Sequence, residues 1–135
     1  MILMQALEAF LYGDVVLALK IYSYKNCSTC ENAIKYLDKR SIKTAVVDIT
    51  ETPPKKSELK AMLGVYEGNI KKLFNTSGQV YREMGLTDKL ADMSANDAIE
   101  LLSKNGKLIK RPFLMNGSEP LAVGFKEDEW KKVLK

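Results

Sequence analysis

The period of apolar and polar positions changes several times along the chain, and each change marks an element. Leu19 to Tyr24 (LKIYSY) alternates and reads as a strand. Ser28 to Arg40 sets Ala33, Ile34 and Leu37, with Tyr36 beside them, at helical spacing, and Ser28 or Thr29 is its candidate cap. Thr44 to Thr50 (TAVVDIT) reads as a second strand. Pro53-Pro54 then opens a new section, with a helix continuing over Ser57 to Met62. Gly64, Gly68 and Gly78 are expected to break the following stretch, leaving short helices over Asn69 to Phe74 and Tyr81 to Met84. Ser94 to Ser103 has a helix start signal and apolar Ala98, Ile99, Leu101 and Leu102, and Asn105-Gly106 is expected as its C-cap. Lys107 to Met115 returns to extended character around Pro112. Asn116-Gly117 predicts a hairpin turn into a return strand at Leu121 to Phe125. Lys126 to Lys135 closes the chain as an amphipathic helix, with acidic residues in its first turn and lysines near its end, an order that complements the helix dipole.

The order is β-α-β, then a helical block over about residues 53–105, then β-β-α. This predicts an α/β fold in which the first and last parts pair into one mixed sheet with flanking helices. The reading gives one domain over residues 19–135, preceded by an extension over residues 1–18. That extension is apolar-rich, with Glu8 and Asp14 its only charged residues. It lacks the basic start of a secretory signal, and its acidic residues interrupt it before a membrane span's length. It is expected as an extra helix or a loosely packed leader, and the protein as cytoplasmic, with no membrane contact.

Composition narrows the chemistry. Of 135 residues, 46% are hydrophobic and 28% charged, which suits a soluble globular chain. The net charge of +4 is spread along the chain. The basic pairs Lys55-Lys56, Lys71-Lys72, Lys110-Arg111 and Lys131-Lys132 have no aromatic residues between them. They read as solvated lysines, and no direct nucleic-acid binding is expected. There is no histidine, which excludes Ser-His-Asp and Cys-His catalysis. Two cysteines are too few for a disulfide scaffold.

Those two cysteines lie three positions apart, in Lys25-Asn26-Cys27-Ser28-Thr29-Cys30, after a strand and at the opening of a helix. One helical turn brings such a pair onto one face. Cys27 falls at the helix N-terminus, where free N–H groups favour a thiolate. It is the candidate nucleophile, and Cys30 the less exposed resolving partner. Lys25 and a distant arginine are candidates to support the thiolate, and Asn26 to position the loop or contact an anion. A zinc site would need further ligands that a chain without histidine could supply only as carboxylates. A second feature, Ile109-Lys110-Arg111-Pro112, reads either as an edge or turn proline or as a proline facing the reactive cysteine. In the second case Arg111 projects toward the thiolate.

These segments, with Pro53-Pro54, Leu73-Phe74-Asn75-Thr76-Ser77-Gly78, Tyr81-Arg82-Glu83-Met84-Gly85-Leu86 and Val123-Gly124-Phe125-Lys126-Glu127-Asp128-Glu129, resemble the arsenate reductase (ArsC)-like and Spx/MgsR family from Leu19 to the C-terminus. The resemblance implies a thioredoxin-like fold with a four-stranded mixed sheet, a helical insertion and a cis Arg111–Pro112 bond. Arsenate reductases of that family use one cysteine, matching Cys27, with glutathione and glutaredoxin, and hold the oxyanion with three arginines. Arg111 matches one of these. Asn75 stands where the second falls, and the Gly124-Phe125 region lacks the third, so efficient arsenate binding is not expected. Spx-like members instead keep the cysteine pair as a redox switch and bind the α C-terminal domain of RNA polymerase. The leading expectation is a monomeric thiol–disulfide oxidoreductase acting through Cys27, Cys30 and Arg111, with Asn26, Lys25 and Pro112 on the substrate side. It would hold no bound cofactor, and glutathione or thioredoxin would be its external reductant. The alternative is a redox regulator of the Spx type.

Overall fold

The computed structural model describes residues 10–12 and 15–134. The first elements lie in the expected leader. Strands β1 (Phe10–Tyr12) and β2 (Val15–Leu17) form a separate antiparallel pair, Phe10 facing Leu17 and Tyr12 facing Val15. The expectation of an extra helix is thus corrected over these residues. Aromatic and β-branched side chains suit a pleated ribbon better than a helix. Residues 1–9 lie outside the described residues.

A mixed four-stranded sheet follows, built from β3 (Leu19–Ser23), β4 (Thr44–Asp48), β5 (Phe113–Asn116) and β6 (Glu119–Val123) in the order β4-β3-β5-β6. Strands β3 and β4 run parallel and are joined through helix α1 (Ser28–Lys39), while β5 and β6 form the expected hairpin. Pro120 sits on the outer strand, beside a register shift, the kind of place where a sheet tolerates proline. Between β4 and β5 every regular element is helical: α2 (Lys56–Val65), α3 (Gln79–Glu83), α4 (Leu86–Lys89), α5 (Ala95–Lys104) and three short 3₁₀ turns. The last helix, α6, spans Glu127–Val133.

Strand alternation divides the core. Leu19, Ile21, Leu114 and Ala122 pack with Ala33 and Leu37 of α1 and Trp130 of α6. Tyr22, Phe113 and Met115 face the other way, against Leu59, Met62, Ile99 and Leu102 of the helical block. The central strands are therefore covered on both faces, while Val46 of the edge strand β4 stays exposed.

Three local expectations are corrected. Helix α2 runs through Gly64, and the chain turns instead at Glu67 (φ 57°) and Gly68 (φ 82°), where the Gly68 N–H bonds back to the Leu63 carbonyl. The C-cap of α5 is Asn105 alone, since Gly106 opens a 3₁₀ turn. The extended reading of residues 107–112 gives way to that turn and a loop, so β5 starts only at Phe113. Gly106 serves packing: a Cβ there would lie 1.9 Å from the Ile49 carbonyl oxygen.

One carboxylate is built into the sheet–helix interface. Glu58, in the first turn of α2, accepts from Lys20 Nζ at 2.8 Å, from the Tyr22 hydroxyl at 2.7 Å and from the Lys55 backbone N–H at 2.9 Å. Burial disfavours its charge, but these donors outweigh burial and hold the carboxyl below its usual range.

Two outcomes are expected. Gly106→Ala forces apart backbone segments in van der Waals contact and costs roughly 1–3 kcal/mol, read from the urea midpoint. An unchanged midpoint would contradict the close approach. Glu58→Gln costs on the order of 1.5–3 kcal/mol at neutral pH, since it removes an ionised acceptor. Because the folded carboxyl is depressed, this stability is present above the unfolded value of about 4.3 and is lost as pH falls through the folded one. The variant's stability curve should therefore be flatter on the acid side.

Candidate active site

The loop after β3 delivers the cysteine pair. The Cys27 N–H bonds to the Tyr24 carbonyl at 3.1 Å, closing a tight turn, and α1 starts at Ser28. The cap is Cys27 itself, and not Ser28 or Thr29 as expected. Its backbone is extended (φ −116°, ψ 106°), and its Sγ accepts the Cys30 N–H at 3.2 Å, the role a serine oxygen commonly plays. Both cysteines are free thiols. Cys27 is partly exposed, whereas Cys30 is fully buried against the sheet.

Burial pushes the Cys30 thiol up to about 11. The neighbouring Cys27 adds to the rise, while the Tyr24 backbone and the Ser23 hydroxyl partly offset it. The pair is thus asymmetric: one sulfur lies at the surface on a helix end, and the other below it is held protonated.

The remaining sequence candidates surround this turn unevenly. The Arg111–Pro112 bond is cis, and Pro112 is buried at the start of β5. The Arg111 guanidinium stacks over the Tyr24 ring at 4.7 Å and donates to the Lys107 carbonyl at 3.3 Å. Among the described residues it has no hydrogen bond to Cys27, so it borders the motif through Tyr24. Lys25 and Asn26 are exposed on the loop. The Lys25 charge acts on Asp48, whose carboxyl is lowered first by hydrogen bonds from Thr50 and only weakly by Lys25. Asn26 makes no side-chain hydrogen bond among the described residues. No cluster of three metal-binding side chains occurs among them, and no helix there is long and apolar enough to cross a membrane.

Next to the motif lies a cleft of about 530 Å³ that the sequence reading missed. Thr29 borders it, and Lys71, Lys72, Lys110 and Lys126 surround it. Tyr66 forms part of its wall: its hydroxyl accepts the Val123 N–H at 2.9 Å and donates to Glu129 at 3.2 Å. Burial and the Glu129 carboxylate push the Tyr66 phenol up, against the Val123 bond. No local pattern announces this cleft, because its lysines come from three separate stretches of chain.

The family model described as the ArsC family matches residues 22–133, from β3 through α6. This chain belongs to the ArsC family. The uncharacterized protein YusI of Bacillus subtilis is 43% identical over 86% of this chain and 98% of its own length. The global transcriptional regulator Spx of Enterococcus faecalis is 28% identical, covering 86% of each. Among solved structures, a possible arsenate reductase from Streptococcus mutans superposes with a TM-score of 0.79 at 37% identity, over 85% of this chain and 98% of that one. The mixed sheet with its helical insertion is thus the thioredoxin-like fold of ArsC proteins, as the resemblance implied.

The asymmetry of the pair has a direct readout. In the reduced protein, the Cys30 Cβ resonance should titrate near 11, and in Cys27→Ala the midpoint should fall, because the raising influence of Cys27 is gone. A Cys30 midpoint at the ordinary thiol value of about 8.5 would contradict the burial described.

Proposed function

We propose that this ArsC-family protein is a cytoplasmic thiol–disulfide oxidoreductase working through Cys27 and Cys30. The observation that carries the reading is the sulfur at the N-cap of α1 with a buried thiol one turn behind it. An exposed helix end is where a thiolate is best supported, and a buried neighbour is protected from external reagents until it is needed.

The reaction then takes two exchanges. The Cys27 thiolate attacks one sulfur of a substrate disulfide, forming a mixed disulfide as the first substrate thiolate leaves. Cys30 loses its proton and attacks the Cys27 sulfur, releasing the second substrate thiolate. Two electrons have passed to the substrate, and the protein holds a Cys27–Cys30 disulfide. An external thiol system, glutathione with glutaredoxin or thioredoxin, returns it to the dithiol. Cys30 carries little thiolate at neutral pH in the dithiol state. Once Cys27 is tied up as a disulfide, its charge no longer opposes Cys30 ionisation. Attack on substrate therefore favours the second step. Arg111, stacked over Tyr24, is assigned with the two cysteines to the chemistry, and Asn26, Lys25 and Pro112 to the substrate side.

The relationship to the transcriptional regulator Spx favours one alternative, a redox switch, whose partner by the resemblance would be the α C-terminal domain of RNA polymerase. One experiment separates the two. The protein is supplied with a model disulfide and a thioredoxin or glutathione–glutaredoxin system, and NADPH consumption is followed. The oxidoreductase reading expects continuous turnover, abolished in Cys27→Ser. Cys30→Ser should accumulate a mixed disulfide detectable by mass. A single stoichiometric reduction without turnover would reject the enzyme in favour of the switch. The resolving step should also quicken about tenfold per pH unit below the Cys30 pKa, following the thiolate fraction. A pH-independent resolving rate would remove Cys30 from that role.

A further inference from the structure

The cleft beside α1 has an unusual charge balance. Lys71, Lys72, Lys110 and Lys126 surround it, and among the described residues none of them is in a salt bridge. Glu129, held by the Tyr66 hydroxyl, is the one carboxylate in the lining. Fixed backbone contacts gather these charges. Phe74 and Ile109 form an antiparallel bridge, with Asn75 N–H on the Leu108 carbonyl at 2.7 Å and Lys110 N–H on the Leu73 carbonyl at 2.8 Å. These bonds bring Lys71-Lys72 to Lys110. The Gly124 N–H bonds to the Pro112 carbonyl at 2.8 Å and draws in the segment carrying Lys126. Gly124 has φ +74°, and a Cβ there would stand 3.3 Å from Lys110 Cε, so its lack of a side chain keeps this end open. Thr29, two residues beyond Cys27 in the first turn of α1, also lines the cleft.

We propose that this cleft binds a phosphate-bearing low-molecular-weight thiol and presents its sulfur to Cys27. The proposal rests on the thiol–disulfide reading above and names the substrate class for it. The volume suits a cofactor-sized molecule. The lining holds no arginine fork, so an anion there meets ammonium groups acting as point charges, and the number of charges it carries decides how well it is held. A tripeptide thiol with two carboxylates and an amine carries too little net charge to balance four ammonium groups against one carboxylate, whereas a thiol bearing several phosphates balances them. The chemistry is the exchange described above: its disulfide is reduced to two thiols as Cys27 and Cys30 are oxidised.

The test uses the full chain, with coenzyme A as the phosphate-bearing probe and two readouts. The first is calorimetric binding of reduced coenzyme A to Cys27→Ser, which involves no thiol exchange. Saturable binding that weakens with salt is expected. Adding Lys72→Gln and Lys110→Gln to that background should weaken it at least about fivefold, in line with loss of focusing in a charged cleft. Adding Lys60→Gln, an exposed lysine of α2, should not. Absent binding, or equal weakening by both sets, overturns the assignment whatever the redox chemistry. The second readout is the rate at which disulfides oxidise the reduced wild-type protein. Coenzyme A disulfide should outpace glutathione disulfide by about tenfold or more at low salt, and cystamine by more still. Equal rates, or a preference for glutathione disulfide, overturn the phosphate assignment. Reaction with neutral hydroxyethyl disulfide but no binding of coenzyme A removes the cleft assignment and leaves the oxidoreductase intact. Binding with no reaction of any disulfide removes both the oxidoreductase and the presentation to Cys27.

Discussion

The Cys30 amide donates to the Cys27 sulfur at 3.2 Å, and with this bond the first turn of α1 closes. A helix start needs acceptors for its free N–H groups, and serine, threonine, aspartate or asparagine commonly supplies one. Here a sulfur does so. The atom that organises the helix end is therefore also the atom available for chemistry, and its position follows from backbone geometry. The sheet supports the arrangement from below. Ile21 and Tyr22 of β3 are buried on opposite faces, which fixes where the strand ends and the loop to Cys27 begins.

The second constraint is the Glu58 junction. A carboxylate near the interface is costly unless it is well paired. Three donors from two strand residues and one helix start meet it, so the first helix of the insertion is tied to the strand that leads into the site. The helical block is thereby registered on the sheet, and its far side contributes the Tyr66 wall and the Lys71-Lys72 rim of the cleft.

Much of this was legible in the residues. The alternation in LKIYSY, the helical spacing after Cys30 and the Asn116-Gly117 turn gave the sheet and its first helix, because they are local patterns with little competition. The resemblance supplied the cis bond. The misses have physical causes. Phe10 to Leu17 offers only two apolar triplets around Gly13-Asp14, each too short for periodicity to separate strand from helix. A cysteine is not a usual cap, so Ser28 and Thr29 drew the assignment one residue late. The basic pairs Lys71-Lys72 and Lys110-Arg111 keep their lysines exposed, as read; what spacing hid is that they share one cleft. Their convergence depends on the bridge of Phe74 with Ile109, a contact between segments far apart in sequence. The Arg111 guanidinium lies over the Tyr24 ring, an attraction to an aromatic face that spacing does not reveal.

The Tyr66 hydroxyl has a consequence for how the cleft discriminates. By bonding to both the end of β6 and Glu129 of α6, it makes one stiff frame of a strand, a helix and the insertion. A cavity whose backbone is pinned in this way cannot fold itself around a guest of the wrong outline. Its adaptable parts are the lysine stems, which reach and retract but do not change the outline of the walls. For the guest proposed above, selection would then resemble a rigid socket with flexible electrodes: shape tested once, at entry, and charge tested continuously thereafter. The ordering cost then falls on the lysine stems and not on the backbone, at roughly 0.5–1.5 kcal/mol for each side chain immobilised.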